Sequence, residues 1–180
     1  MTTLLALRRE GHAVMGADGQ VTIGQVVQKH GAVKVRTIGG GRVLAGFAGG
    51  AADALALLER FEGKLEDARG HLVRAAVELA KDWRKDRVLR RLEAVLLLAD
   101  PDHLLLVSGN GDVIAPDDGV LYAGSGGPVA GAAARALLRH ATLDLADACR
   151  AALAIAAEID LYTNDRVTVL ETRAPAGGQA

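Results

Sequence analysis

Short apolar runs dominate the first fifty positions and the stretch from 94 to 123, while elsewhere apolar residues recur with a helical period. Thr2–Arg9 and His12–Ala17 read as strands joined at Glu10-Gly11, a hairpin turn. Lys34–Ile38 alternates weakly, Gly39-Gly40-Gly41 turns the chain, and Arg42–Ala48 is apolar almost throughout, which predicts a strand buried on both faces. Ala54, Leu58, Phe61 and Leu65 then fall at i, i+4, i+7 and i+11, one face of a helix, with Gly63 weakening its end. After Gly70 the positions Leu72, Ala76, Leu79 and Trp83 repeat the pattern in a second helix running to about Glu93.

Strands return at Ala94–Ala99 and Leu104–Ser108, divided by Asp100-Pro101. Asn110-Gly111 marks a tight hairpin in which both central residues would take positive φ, with Val113–Ala115 answering across it and Val120–Ala123 following. Pro128 to His140 and Asp144 to Tyr162 read as two Ala-rich helices, the second capped by Asp144, and Val167–Glu171 closes as a strand. The order is strands, two helices, strands, two helices, strand. Helix pairs of this kind cover outer faces while the strand sets pack on each other, so the expected class is α+β, a four-layer α-β-β-α sandwich. One domain over 1–180 is expected, with a Pro/Gly/Ala tail from Ala174 that frays.

Composition narrows this picture. Half of the residues are apolar but aromatics are only 3%, so the core is built from Ala, Val, Leu and Ile, and stacking-based readers of nucleic acid are excluded. Lys and Arg number 21 against 22 Asp and Glu, a net charge of −1 that attracts neither polyanions nor membrane surfaces. A single cysteine, Cys149, excludes an intrachain disulfide and suits a reducing compartment. Leu4–Leu7 is too short for a secretory signal and is followed by Arg8, Arg9 and Glu10; the longest uncharged stretch, Gly119–Ala134, carries five glycines and a proline. A soluble cytoplasmic protein is expected.

The candidate chemistry lies at the amino terminus. A small residue after Met1 permits its removal, and Thr2 would then carry a hydroxyl and a free amine, a nucleophile and its own base. Other motifs are missing. No G-x-x-x-x-G-K-[ST] or G-x-G-x-x-G follows a strand, and Ser125 in Ala123-Gly124-Ser125-Gly126-Gly127 misses the G-x-S-x-G elbow by one position. Histidines 12, 30, 71, 103 and 140 lie far apart, without zinc spacing or a partner for a serine triad.

Nine short stretches carry a resemblance. They include Thr2-Thr3, Ala17-Asp18-Gly19-Gln20-Val21-Thr22, Lys34-Val35-Arg36, Ala45-Gly46-Phe47-Ala48-Gly49-Gly50 and Gly124-Ser125-Gly126-Gly127-Pro128. Gly70–Val73, Ala80–Arg84, Ser108–Asp112 and Leu161–Asn164 complete the set. In order and spacing, from residue 2 to about 171, the chain resembles the HslV (ClpQ) family, peptidase subunits of bacterial ATP-dependent HslUV proteases and relatives of proteasome β subunits. The resemblance implies the N-terminal-nucleophile fold and a threonine endopeptidase that degrades unfolded cytoplasmic proteins in an enclosed chamber.

It also implies roles. Thr2 Oγ1 would attack the scissile carbonyl, its amine taking the proton through a water; Lys34 would favour the alkoxide and lower the amine pKa, and Asp18 would hold Lys34. Gly46 would supply an oxyanion-hole N–H at a place where a side chain would crowd the substrate, and Ser125 would orient the amine. Taken singly, Asp18-Gly19 reads as a turn, Lys34 as a solvated strand residue, Gly46 as a bulge or a close-packing site and Gly124–Gly127 as a helix entry. Ala17 departs from the family's usual Gly, a methyl that would tighten a turn. A monovalent-cation site (Na+) of backbone carbonyls near the end of the last helix would fall on Ala157, Asp160 and Thr163, where the family often has Gly and Cys at the first two positions and Asp160 could add a charge or distort the loop; an ordinary helix end is the alternative.

The basic run Lys81, Arg84, Lys85, Arg87, Arg90 and Arg91 reads as a solvated helix face, or by resemblance as a seat for the C-terminal carboxylate of the HslU (ClpY) AAA+ ATPase, which alone would use ATP. A homo-oligomer, two stacked hexamers forming a dodecamer, is the implied assembly. A silent ring subunit with Met1 retained, and a small-molecule amidohydrolase without an ATPase, stand as alternatives.

Overall fold

A computed structural model of the chain describes residues 2–86 and 94–174, and the side chains of 51–55 are not described. The elements are β1 Thr3–Arg9, β2 His12–Asp18, β3 Val21–Ile23, β4 Val26–Lys29, β5 Val35–Ile38, β6 Val43–Ala48, α1 Ala51–Asp67, α2 Leu72–Lys85, β7 Val95–Ala99, β8 Leu104–Ser108, β9 Val113–Ile114, β10 Val120–Gly124, α3 Gly127–His140, α4 Leu145–Ile159 and β11 Val167–Arg173. Two antiparallel sheets, in the orders β10-β1-β2-β11 and β5-β6-β7-β8-β9, stack face to face, and β3-β4 forms a separate hairpin.

The near-continuous apolar character of the central strands has a simple cause. Alternate side chains point to opposite faces of a strand, and here both faces are covered. Leu4, Ala6, Met15 and Ala17 pack between the sheets against Leu44, Leu97 and Leu104. Their neighbours Leu5, Leu7 and Val14 pack under α3 and α4, beside Ala148, Cys149 and Ala152. On the other side, Leu58, Phe61, Leu65, Leu72, Ala76, Leu79 and Trp83 bury the inner faces of α1 and α2 on Leu96, Leu98 and Val107. The α-β-β-α order expected from the sequence is the one observed. Small residues permit close approach: a Cβ on Gly16 would lie 2.7 Å from Cys149 Sγ and from Leu153 Cδ1.

Local expectations fared unevenly. Glu10 and Gly11 both take positive φ, as the hairpin requires, and the Asp144 carboxylate caps α4 by accepting the Asp147 N–H at 2.8 Å. At the β8–β9 turn only Gly111 is left-handed, and a longer loop closes through Gly111 N to Ser108 O (3.0 Å), so the two-residue turn is corrected. The second helix ends at Lys85 with Asp86 extended, and 87–93 lie outside the described residues, as do Met1 and 175–180. Ala174 is tied down, its N–H donating to Gly11 O at 2.8 Å. Ala17 lies inside β2 facing the inter-sheet core, not in a turn, so its methyl fills space between sheets. The β3–β4 hairpin was not anticipated: its first strand is three residues long and its four-residue partner is wholly exposed, too little pattern for a period of two.

Candidate active site

Five strand ends converge at one end of the sandwich. Register sets Thr3 opposite Gly124 in β10 and, one step beyond the Leu4–Ala17 pair, opposite Asp18 at the end of β2. From the other sheet come Lys34, just before β5, and the end of β6. Thr2, Asp18 and Lys34 are 5%, 0% and 5% exposed, three polar residues buried at the seam between two apolar sheets.

Asp18 is the hub. Its Oδ1 accepts Lys34 Nζ at 2.7 Å and the Thr3 N–H at 2.8 Å, and its Oδ2 accepts the Gln20 N–H at 2.8 Å. A buried carboxylate with this set of donors is well compensated. Because the Thr2–Thr3 peptide nitrogen and the Lys34 ammonium share one oxygen atom, a buried cation sits beside the residue that would present the nucleophile. Burial holds the Lys34 pKa below its ordinary 10.5, and the hydrogen bond and charge of Asp18 oppose that shift.

The chain around this pair is locked from both sides. Gly19 N–H donates to Asn164 Oδ1 at 3.0 Å, Asn164 Nδ2 donates to His30 O at 2.9 Å, and Ala32 N–H donates to Gly19 O at 2.9 Å. Only glycine fits at 19, since a Cβ would stand 2.4 Å from His30 O. The turn after β2 and the segment leading to Lys34 are thereby held together.

A second polar chain runs beneath Thr3. Gly126 N–H donates to Thr3 Oγ1 (3.0 Å), Thr3 Oγ1 lies 2.5 Å from Thr163 Oγ1, and Thr163 Oγ1 donates to Asp160 Oδ2 (2.5 Å). Ser125 Oγ donates to the same Asp160 oxygen at 2.8 Å. Since Thr163 donates to the carboxylate, it must accept from Thr3, so the hydroxyls point in one direction from Gly126 to Asp160. A Cβ on Gly126 would fall 2.3 Å from Thr3 Oγ1 and 2.7 Å from Thr163 Oγ1.

The structure thus brings Thr2, Asp18 and Lys34 together and sets Ser125 and Asp160 next door, but two readings change. Ser125 is exposed, and the contact its hydroxyl makes is to Asp160. Gly46 lies mid-strand, and Phe47 N–H bonds Lys34 O (3.4 Å) on the β5 side, so by alternation the Gly46 N–H faces Leu97 in β7 and serves the ladder. The close-packing reading of this glycine holds: a Cβ would meet Leu4 Cδ1 at 2.7 Å and Met15 Sδ at 2.8 Å. Asp160 closes its loop in ordinary fashion, its N–H donating to Ala156 O and its carbonyl accepting Thr163 N–H at 3.1 Å. Thr3, Gln20, Asn164 and the hydroxyl of Thr163 were not singled out as site residues. All four lie in stretches that carried the resemblance, Thr3 beside the candidate nucleophile Thr2.

Two stacked antiparallel sheets between helix pairs, with a buried Lys–Asp pair at an N-terminal threonine, define an N-terminal-nucleophile hydrolase. The chain belongs to the proteasome subunit family, whose model matches residues 1–171. It is 60% identical over 172 residues to the ATP-dependent protease subunit HslV of Desulfovibrio desulfuricans, covering 95% of this chain and 97% of that one. A relative of the same name in Pseudothermotoga lettingae is 58% identical over 170 residues, covering 94% and 97%. The crystal structure of eukaryotic HslV from Trypanosoma brucei superposes with a TM-score of 0.91 at 43% identity, over 96% of this chain and all of that one. BPH of Thiobacillus denitrificans, solved with epoxomicin, shares the fold at a TM-score of 0.75 and 20% identity, over 97% of this chain and 100% of that one. The activity supported at this level is that of a threonine peptidase, the proteolytic core of an ATP-dependent protease. No helix among the described residues is long and apolar enough to cross a membrane.

Proposed function

We propose that Thr2, freed of Met1, is the nucleophile of a peptidase that cleaves unfolded polypeptides in the cytoplasm, inside a double ring of hexamers fed by an HslU-type ATPase. The observation that carries this reading is the shared oxygen of Asp18, which ties a buried ammonium to the peptide bond following Thr2. The Lys34 charge stabilises the alkoxide as Thr2 Oγ1 gives its proton to the α-amine, and the alkoxide adds to the substrate carbonyl. The tetrahedral oxyanion then needs an amide that the sheet does not use. By the alternation along β6 the Gly46 N–H is used by β7, and Gly49, one residue beyond the end of β6 with φ +143, is outside the ladder and is the candidate donor. Collapse expels the amine of the leaving fragment, protonated by the Thr2 ammonium, and water resolves the ester in the same way.

Asp160 and Ser125 position this machinery through Thr163 and Thr3. The carbonyls of Ala157, Asp160 and Thr163 would supply all-oxygen ligands suited to a hard cation, the Asp160 oxygen sharing its place with the Thr163 N–H, and a sodium ion held there would brace the α4 exit without entering the reaction. The ATPase rests on the relatives' name, ATP-dependent protease subunit, and the ring on the need to keep a peptidase site apart from folded proteins. The test is an intact mass of the purified protein together with peptide hydrolysis by wild type and Thr2→Ala, with and without the ATPase. A mass lacking Met1 and an inactive variant support the reading. Retained Met1 with full activity refutes it.

A further inference from the structure

At the end of the sandwich remote from Thr2, three turns close around a cleft of about 760 Å³: the turn into β6, the α1–α2 turn and the β7–β8 turn. β6 runs six residues from this cleft toward the buried pair, about 20 Å at about 3.3 Å per residue, so the cleft is separate from the site already described. Arg42 stands just before β6, Arg69 between the two helices and Arg74 in the first turn of α2, and all three line the cleft. Their side chains are exposed, and none has an ion pair or side-chain hydrogen bond among the described residues.

The carboxylates of the same cleft are engaged elsewhere. Glu78 accepts Lys81 Nζ at 2.7 Å. Asp100 Oδ1 accepts the N–H groups of Asp102 and His103 at 2.8 and 2.6 Å and lies 3.1 Å from His103 Nδ1. The Asp102 carboxylate is left uncommitted, so three guanidiniums share the cleft with one free anion. Two of the three also sit where their own backbone does not favour them. Arg74 occupies the first turn of a helix that has no acidic residue there, where the partial positive charge of the helix end repels a cation. Arg69 has φ +53, a left-handed conformation usual for glycine or asparagine.

We propose that this cleft binds a small molecule carrying two linked phosphates. The excess of positive charge calls for a ligand with at least two negative charges. The guanidiniums enter from three separate backbone segments, so the acceptors must point in several directions. A tetrahedral phosphate offers oxygens all round and takes arginine forks in pairs, whereas a carboxylate offers two in one plane. The volume lies within the range of small-molecule sites, about 300–1,000 Å³, and Val73, 40% exposed on the same wall, gives an organic portion an apolar surface. A nucleoside diphosphate and free inorganic polyphosphate share this chemistry. The site does not depend on the peptidase reading.

Calorimetric titration of the full chain with ADP, inorganic pyrophosphate and citrate would compare wild type with Arg42→Gln, Arg69→Gln, Arg74→Gln, Arg74→Lys and Arg139→Gln, the last an exposed arginine on α3 outside the cleft. Saturable binding of pyrophosphate at one site per chain is expected. Each glutamine variant in the cleft should weaken it at least tenfold, Arg74→Lys less, and Arg139→Gln not at all. ADP binding more tightly than pyrophosphate supports the site with a nucleotide as its source, and equal or weaker ADP binding supports it with free polyphosphate. Saturating pyrophosphate should raise the melting temperature of wild type and leave that of the triple glutamine variant unmoved. No saturable binding of either phosphate compound, an equal loss in Arg139→Gln, or citrate binding as tightly as pyrophosphate overturns the proposal. Thr2→Ala should bind as wild type does and the cleft variants should hydrolyse peptide as wild type does, so an error in the nucleophile and an error in this site appear in different measurements.

Discussion

Replacing Lys34 by methionine keeps the stem of the side chain and removes its ammonium, leaving the fully buried Asp18 carboxylate with two backbone donors and no counter-charge. Breaking one side of a buried ion pair costs about 3–5 kcal/mol, against about 0.2–1 kcal/mol for an exposed pair. With side-chain exposures of 6% and 0%, Lys34 and Asp18 belong to the first class. Asp18→Asn should also be costly, because the Asn amide nitrogen must face one of three donors and the ammonium is left buried without its anion. The double variant should be less unstable than the sum of the singles by about 1–3 kcal/mol, since each single strands a charge that the double does not contain. Urea unfolding of the four proteins in a Thr2→Ala background measures this coupling free of self-cleavage. Peptide hydrolysis in the Thr2 background should fall about 10²–10⁴-fold for Lys34→Met and stay low in the double variant, because stability is regained while the cation is not. A coupling below about 0.5 kcal/mol would mean that the pair behaves as a solvated one, and the account of the site would fail with it.

Thr2→Ala should abolish hydrolysis while shifting the melting temperature little, read by peptide turnover and calorimetry. Lys34 deprotonates below 10.5, so activity should decline on an alkaline limb below that value, and Lys34→Arg, which stays charged, should move the limb upward in a pH–rate profile. Stability should not follow that limb: between the lowered folded pKa and 10.5 the unfolded chain binds more protons, so this group's contribution to stability rises with pH there, as pH-dependent unfolding would show. Gly46→Ala should cost about 1–3 kcal/mol by driving a methyl into Leu4 and Met15, seen as a lower urea midpoint. Gly126→Ala should lower the rate more than stability, as its Cβ displaces Thr3 and Thr163; a melting shift with unchanged turnover would separate that hydroxyl chain from catalysis.

The layer order was legible in the sequence because each layer leaves a local periodic mark. Runs such as Leu4–Leu7 and Val43–Ala48 are apolar at every step because both faces of their strands are covered, and Leu72, Ala76, Leu79 and Trp83 keep helical spacing because α2 covers one face of a sheet. Thr2, Asp18 and Lys34 were also visible, through the spacing of short motifs. Invisible were contacts whose partners lie far apart along the chain. Asp160 and Thr163 are more than 150 residues from Thr3, and nothing local distinguishes them from an ordinary helix exit until the α4 end is folded against the start of β1. Gly46 shows the converse. The family resemblance implies a substrate-facing amide, but the direction of a backbone N–H alternates along a strand, and only pairing with both neighbours decides that this one points into the sheet. Local sequence determined which segments become strands and helices and which residues could carry the chemistry. Tertiary structure alone decided which polar groups share a hydrogen bond, because those bonds depend on how two sheets stack and where distant chain ends meet.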